Sequence, residues 1–525
     1  MQNTQVPHFK PYRIACVHVA VALRSLRLSK VASRLSAIGT SIISISAFCI
    51  SSAHAATALS YSEAKALLSQ QSDAIQAAQY QVDSQQDKLA SLDRLHLPTL
   101  SILGGVHAYE SKRELDIEPI RDAAGDLIPG SEQFIRSSID VNFNGVLPTA
   151  VLMSTWELYA GGRIDAARRA ADAAIAEAKA EQSGTFEEQE KLLATVYFGQ
   201  LLAKQILHIR EEVAKDIAQH VHQATRFEEN GLISKVERLH AQVAYDEALR
   251  NLEQAKADLG MANNALQRLL RVNTNIQPRN KLFVISQPLP PLDSFLAQGL
   301  QNHSQLTLIR AKRERAEQGQ VIEEARFKPN VFAFGSYNLA PQEADFSDPL
   351  PLLEPDWIVG INVSYKLFDS INRNKAISAA RLQVDRVGAL EREFSMRLGT
   401  YIENSYRSLE KARNQYALLA SSIDLAQETL KLRVRLFEEG MGTSLDVVDA
   451  RLSAAKAETE KAAAAYNFVV ALVDLLIGAG QLHEFERYMT QADILVSTDT
   501  LSFIPSTEQI PATAHASIQG TQNEN

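Results

Sequence analysis

Two stretches of this chain, residues 226–241 and 435–450, carry acids, hydroxyls and glycines in the same order. An offset of 209 residues places Arg226 on Arg435, Gly231 on Gly440, Ser234 on Thr443, Glu237 on Asp446 and Ala241 on Ala450. Each stretch has a glycine that permits a left-handed helix end, then a hydroxyl that can cap the next helix, then an acid in its first turns. The chemistry that these residue types offer is electrostatic. Two such turns at a fixed spacing indicate a duplicated protein.

Residues with catalytic or metal-binding potential do not form an enzyme motif. His220 and His222 stand two apart on a predicted helix, so they face different directions and are poor joint metal ligands. The sequence contains no HExxH, GxSxG or P-loop pattern. The glycine pairs at 104–105 and 161–162 are interpreted as strand-end or bulge features. We therefore predict a protein that is not an enzyme and that has no metal and no cofactor.

The first 55 residues have the pattern of a signal peptide. They contain basic residues and no acid, then a largely apolar run at 37–50, then the small-residue cleavage site Ala53-His54-Ala55. An N-terminal anchor helix is the alternative, but an apolar run of 14 residues is too short for one. Cleavage after Ala55 would remove both cysteines. It would leave 47 of the 53 basic residues against 62 acids, and so acidic a chain argues against nucleic-acid binding.

Two structural repeats are predicted after the signal. The first, residues 56–286, reads as a helix, strands at 98–109 and 150–159, a long helix at 163–229 and a return helix at 234–271. The second, residues 293–482, reads as a helix, strands at 330–338 and 357–368, a long helix at 372–438 and a return helix at 444–477. A Pro-rich linker at 287–292 joins them. Residues 483–525 are predicted to form a polar, largely disordered tail.

The four predicted strands indicate a membrane β-sheet, because they alternate and belong to an exported chain with no predicted membrane helix. Four strands cannot close a barrel, and an open edge in lipid leaves backbone groups unpaired at several kcal/mol each. The chain must therefore oligomerise, and three copies would supply twelve strands. The long helices would each extend about 100 Å at 1.5 Å per residue. They are too polar for lipid, so they would form a helical tube in water.

At this point the chain resembles the TolC family of outer-membrane channel proteins, from about residue 59 to residue 482. The motifs that carry the resemblance are the segments Leu-Tyr-Ala-Gly-Gly-Arg at 158–163 and Leu-Phe-Asp-Ser at 367–370, the two Gly-x-x-[Ser/Thr] turns, and Leu-Asp-Val-Val-Asp-Ala at 445–450. The resemblance implies a mainly α protein with transmembrane β structure. Duplicated long-helix hairpins would form a trimeric α-helical barrel joined to a 12-stranded β-barrel, with four strands per protomer.

The same resemblance implies a function and a set of partners. The protein would be a homotrimer in the lipid of the Gram-negative outer membrane, with its helical tunnel in the periplasm. It would act as the passive exit duct of a tripartite efflux pump or a type I secretion system. Its partners would be a periplasmic adaptor (membrane fusion) protein and an inner-membrane RND or ABC transporter. The alternative, a periplasmic coiled-coil structural or adaptor protein, is disfavoured by the four strands.

The resemblance also assigns roles to residues of the two turns. Asp446 and Asp449 resemble aspartates that line the closed periplasmic aperture, where three copies would form carboxylate rings that attract cations. The alternative is that both acids stabilise a helix N-terminus. Glu237 resembles an acid that helps to hold the tip shut in the family. Its family partners, a Tyr and an Arg, are replaced here by Phe437 and Gly442, so those links cannot form as such.

Two further groups of residues have candidate roles. The turn residues resemble the place where a periplasmic adaptor docks in the family, with plain helix caps as the alternative: Gly231, Leu232, Ser234, Gly440, Met441 and Thr443. Aromatic residues near strand ends predict a membrane-interface belt, with ordinary strand packing as the alternative: Trp156, Tyr159, Trp357, Tyr365 and Phe368.

Overall fold

The computed structural model describes residues 57–339, 356–368 and 370–496. The predicted signal-cleavage residues Ala53 and Ala55, and the part of the predicted tail beyond residue 496, lie outside the described residues. The helices are α1 Tyr61–Gln71, α2 Asp73–Leu92, α3 Glu118–Leu127, α4 Arg163–Glu229, α5 Lys235–Leu269, α6 Leu292–Asn302, α7 Ser304–Ala325, α8 Arg373–Glu438, α9 Ser444–Gly478 and α10 Phe485–Thr490. The strands are β1 Thr57–Leu59, β2 Thr99–Asp116, β3 Ser138–Tyr159, β4 Ile276–Pro278, β5 Leu282–Val284, β6 Asn330–Asn338, β7 Trp357–Ser364 and β8 Ile494–Val496.

The long helices follow the predicted bounds closely. Helix α4 has 67 residues and α8 has 66, and the return helices α5 and α9 have 35 residues each. At the end where the two turns lie, α5 packs against α4, α4 against α9, and α9 against α8. Helices α4 and α9 each contain a segment apolar enough to cross a membrane, but 61 % of the α9 segment is buried inside the protein. Its apolar residues therefore serve the core.

The four long strands form one antiparallel sheet in the order β2-β3-β6-β7. The register aligns Ile361 with Ala333, Ala333 with Trp156, and Ile102 with Leu152. One face of the sheet is therefore apolar across all four strands, and its exposed residues include Leu100, Ile102, Trp156, Val359, Ile361 and Val363. The opposite face mixes polar with apolar residues, and among them are Ser101, Thr155, Ser336, Asn362, Phe332, Phe334, Leu103, Met153 and Ile358. This two-sided alternation suits a sheet between lipid and an aqueous lumen.

The first two strands are longer than the sequence predicts. Predicted at 98–109 and 150–159, they have 18 and 22 residues in the structure. The polar segment between the predictions continues the ladder, with Glu110 opposite Asn144 and Asp116 opposite Ser138. Residues 139–143 alternate apolar and polar residues, but their partner stretch 110–116 is almost entirely polar, so periodicity did not mark the two stretches as a pair of strands. The fourth strand is shorter than predicted and ends at Ser364, because its neighbour β6 begins opposite that residue.

The start of the predicted disordered tail is ordered, which corrects the boundary at residue 483. Helix α10 places Phe485, fully buried, within 5.1 Å of the Tyr61 ring centroid and 6.1 Å of the Phe283 centroid. Strand β8 then pairs with β5. Burial of these rings outweighs the polar composition of the segment. The resulting core lies where the two repeats meet, beside the middle of α4 at Phe198.

Candidate functional site

The two turns that join the long helices have the same backbone hydrogen bonds. Gly231 and Gly440 both have positive φ, 70° and 73°. The N–H of Leu232 donates to the Phe227 carbonyl at 2.8 Å, and the N–H of Met441 donates to the Leu436 carbonyl at 2.8 Å. Both are Schellman motifs, which satisfy carbonyls that the helix end leaves without partners. The duplicated glycines were predicted for this role.

The hydroxyl residues after each turn cap the return helices. Ser234 Oγ accepts from the Glu237 N–H at 3.4 Å, and Thr443 Oγ1 accepts from the Asp446 N–H at 3.2 Å. The capping roles predicted as the alternative for Ser234 and Thr443 are therefore present. Leu232 and Met441 lie at the turns' outer ends and are 67 % and 68 % exposed. Each turn thus presents one apolar side chain to its surroundings.

The two predicted aperture aspartates are in different environments. Asp446 Oδ2 accepts from the Thr443 hydroxyl at 2.7 Å and from the Thr443 N–H at 3.2 Å, which completes a capping box. Asp446 Oδ1 lies 3.1 Å from Arg433 Nη1. The hydrogen bonds from Thr443, followed by the charge of Arg433, lower the pKa of Asp446. Asp449 is exposed on the next turn of α9. Asp446 therefore acts as a cap within its own protomer.

Glu237 crosses from the first repeat to the second. Its Oε2 accepts from the backbone N–H of Ser444 at 2.8 Å, and Ser444 is the first residue of α9. The Ser444 hydroxyl lies 2.7 Å from Nε2 of His220, and both side chains are buried. The start of α9 is thus held by α4 and α5. We call Glu237, Ser444 and His220 the cross-repeat link.

Phe437 lies in the packed interior of the tip. Its side chain is 1 % exposed, and its ring centroid lies 4.7 Å from that of His220 and 5.5 Å from that of Phe227. A Cβ at Gly442 would lie 3.1 Å from the Phe437 backbone nitrogen, so a side chain there would require the end of α8 to shift by a few tenths of an ångström. Phe437 therefore has a packing role, whichever residue other members of the family have there.

Sequence reasoning missed three partners of this site. The sequence suggests for His220 only the role of a metal ligand beside His222. The structure places His220 inside and His222 outside, so the two side chains do face different directions. Ser444 gave no signal beyond its place after a hydroxyl cap. Arg451 bonds to Asp216 at 2.6 Å and lies 3.8 Å from Glu458, joining α4 to α9. Burial raises the pKa of both Asp216 and Glu458 against the opposing effect of Arg451.

The predicted interface aromatics lie at both ends of the sheet. Tyr159 ends β3, and Tyr365 and Phe368 follow the end of β7, so the last two correct the prediction that β7 contains them. Trp357 starts β7 at the other end, opposite Tyr337. Trp156 Nε1 donates to the His96 carbonyl at 2.7 Å. All five predicted aromatics are at least 45 % exposed.

A duplicated protomer with paired long helices and a four-stranded sheet, apolar on one face, defines the class of outer-membrane channel proteins. The family model described as outer membrane efflux protein matches residues 64–270 and 296–480. The chain belongs to this family, so it is a channel protein of the outer membrane whose helical tunnel lies in the periplasm. It provides the exit duct of an efflux or secretion system, and the family is one of transport proteins.

Individual relatives agree with this assignment. Protein CyaE of Bordetella pertussis is 26 % identical over 357 residues, which cover 66 % of this chain and 74 % of CyaE. The outer membrane protein VceC of Vibrio cholerae superposes with a TM-score of 0.63 at 14 % identity, over 80 % of this chain and 96 % of VceC. The CmeC outer membrane channel of Campylobacter jejuni gives 0.64 at 13 % identity, over 83 % of this chain and 90 % of CmeC. The two structural matches establish the fold alone, and it is the predicted one.

Proposed function

We propose that three copies of this chain form one passive duct, which a periplasmic adaptor connects to an inner-membrane RND or ABC transporter. The tips of the long helices form its regulated end. The proposal rests on the observation that, within the described residues, the protomer has two pairs of edges that another copy of the chain could cover. One pair belongs to the sheet and the other to the helices.

The sheet edges are the outer sides of β2 and β7. Within the described residues, the strand order leaves each of these strands with one neighbour. The adjoining face is apolar from Leu100 to Val363, so this part of the sheet belongs in lipid. Each backbone group left without a hydrogen bond at an open edge in lipid costs several kcal/mol. Strand β2 of one copy can form these hydrogen bonds with β7 of the next copy. Three protomers of four strands give the twelve-stranded barrel.

The helix edges are α5 and α8, the two ends of the packed series near the turns. Helix α8 exposes Leu418, Leu425 and Leu432, seven residues apart, at 72, 68 and 52 %. Helix α5 exposes Val236, Leu239 and Val243, at 59, 44 and 64 %. Heptad spacing produces an apolar seam along a helix, and such a seam is stable only against another helix. The α5 helix of one copy supplies a partner for α8 of its neighbour.

The tip combines a set of contacts that hold it closed with an aperture lined by carboxylates. The cross-repeat link of Glu237, Ser444 and His220 keeps the start of α9 against α4 and α5 and so keeps the aperture narrow. Asp449, with Asp446 behind it, places carboxylates on the same helix, and three copies would form rings that favour cations. The exposed Leu232 and Met441 at the turns are the contacts that we assign to the adaptor.

Single-channel conductance in planar bilayers tests the duct, and native mass spectrometry of the purified protein tests the trimer. We expect a trimeric mass and small, cation-selective openings that a trivalent cation blocks from one side. A double variant, Asp446→Asn with Asp449→Asn, should lose the block. Asp258→Asn, which neutralises an exposed acid farther along α5, should keep it. A soluble protein that never inserts would support the coiled-coil alternative instead.

A further inference from the structure

The β2–β3 hairpin extends well beyond the apolar part of the sheet, at the end farthest from α4. On the apolar face, Val106 and Ala108 are followed by Glu110, Lys112 and Glu114. The ladder nevertheless continues to Asp116 and Ser138. Four further residue pairs lie on that face, from Glu110 opposite Asn144 to Asp116 opposite Ser138. At about 3.4 Å per residue, this length of strand takes the end of the hairpin out of the hydrocarbon region. At its end lies a compact segment, residues 117–137, which we call the hairpin cap.

The hairpin cap contains an amphipathic helix whose apolar side is uncovered. In α3, Pro119, Ile120, Ala123, Ala124 and Leu127 share one side, and Glu118, Arg121, Asp122 and Asp126 share the other. Ile120 is 64 % exposed, Leu127 is 83 % exposed, and the nearby Phe134 is 85 % exposed. Helix α3 has no buried residue.

Such a helix needs a partner in order to persist. An isolated helix of fewer than about 12 residues is marginal in water, and packing of its apolar side normally supplies its stability. Helix α3 has 10 residues. Because the polar hairpin raises it beyond the apolar band, the lipid that covers Leu100 and Ile102 does not reach it. The partner must therefore come from the space at the mouth of the barrel.

The structure favours other copies of the same cap over a lipid surface. Strand β2 is the protomer edge that meets the next copy under the proposed function, and it leads directly into the cap. Among the described residues this extension belongs to the first repeat, so three copies would place three caps around one mouth. Residues 117–137 contain four acids and two arginines, and this negative balance opposes adsorption to an anionic lipid surface.

We infer that the apolar sides of the three α3 helices pack together and narrow the outer mouth of the channel. The inference rests on the proposed trimer. Ile120, Leu127 and Phe134 would form the shared contact, and the acids would face the surrounding water. The mouth would then have an apolar constriction, which contrasts with the carboxylates proposed for the tip at the other end of the duct.

Disulfide trapping tests this contact, because both native cysteines lie in the predicted signal peptide and none follows residue 55. Oxidation of Leu127→Cys in membranes should join up to two of every three chains as a covalent dimer, since Cβ atoms must approach to about 4 Å. The matched control, Asp122→Cys on the opposite side of α3, should stay monomeric on the same gel. Leu127→Asp should also raise the single-channel conductance.

The outcomes separate the inference from the proposed function. A trimeric mass in native spectrometry with no Leu127→Cys dimer would overturn the shared contact and leave the duct intact. Equal dimer yields at Leu127 and Asp122 would mean random collisions of the caps, and the inference would also fail. Labelling of Leu127→Cys by a lipid-borne probe would make lipid the partner. A monomeric mass would remove both proposals together.

Discussion

The turn of the first repeat and the turn of the second share the same backbone conformation, but their side chains make different contacts. At equivalent positions, Glu228 and Arg238 form an ion pair in the first turn, and Phe437 and Val447 are buried in the second. The acids differ as well, because Glu237 reaches into the other repeat and Asp446 folds back onto Thr443. Duplication has kept the Schellman glycines and the hydroxyl caps, which the chain reversal requires.

The difference in side-chain contacts gives the two turns different structural roles. The first turn supplies a polar surface and one carboxylate that crosses to the partner repeat. The second supplies the apolar centre, Phe437, against which His220 and Phe227 pack. We therefore expect the second turn to contribute most of the stability of the tip and the first to contribute the connection between repeats. Four substitution experiments test this division.

Truncating the two equivalent positions should give the largest contrast. Phe437→Ala removes a ring that is 1 % exposed, so we expect a loss of about 3–5 kcal/mol in the free energy of local unfolding. Glu228→Ala removes half of a partly exposed ion pair, and we expect about 1 kcal/mol or less. Hydrogen exchange of residues 216–224 and 434–450 measures both. Equal losses would refute the division between the turns.

Removing the two equivalent acids should separate the link from the cap. Glu237→Ala leaves the Ser444 N–H without its charged acceptor, and such bonds contribute about 1.5–3 kcal/mol. We expect the closed tip to weaken and the conductance to rise. Asp446→Ala breaks a capping box, worth about 1 kcal/mol, without touching the other repeat. Its conductance should rise less, and Glu237→Gln, which keeps an acceptor, should lie close to wild type.

The two aspartates of α9 should differ in their effect on ion selectivity. Arg433 already offsets part of the charge of Asp446, whereas Asp449 is exposed. Asp449→Asn should therefore reduce the preference for cations more than Asp446→Asn does. Reversal potentials in a salt gradient measure the difference. A larger effect at Asp446 would mean that its pairing with Arg433 is absent in the assembled channel.

The sequence predicts the features that periodicity and duplication encode. The bounds of α4 match the prediction, and the glycine turns were found from the 209-residue offset. It missed the extended hairpin, because residues 139–143 alternate but their partner stretch 110–116 is almost entirely polar. It also missed the buried start of the tail, where a few aromatic rings outweigh many polar residues. It also missed His220 and Ser444, since their contact joins residues 224 apart and no local pattern records such a distance.

The smallest expected effect, a pH dependence of the cross-repeat link, depends on His220. Burial lowers the pKa of His220 below its usual 6.5, against the opposing influences of Ser444 and Glu237. The unfolded ring takes up a proton below about pH 6.5, while the folded ring stays neutral until a lower pH. The stability of the tip should therefore be complete above pH 6.5 and should fall as the pH drops through the folded pKa of His220.

A substitution at His220 isolates this contribution. The groups that contact or influence the ring are Ser444 from α9, Phe437 from α8 and Glu237 from α5. Asp216 precedes His220 by one turn of α4 and pairs with Arg451. Asp216 also titrates on acidification, because burial raises its pKa against the opposing effect of its ion pair with Arg451. His220→Gln keeps a polar partner for Ser444 and removes the titration. Conductance of the wild type should rise between pH 6.5 and 5, whereas the variant should change less. Identical pH curves would assign the effect to Asp216 and Glu458, because both acids remain in the variant.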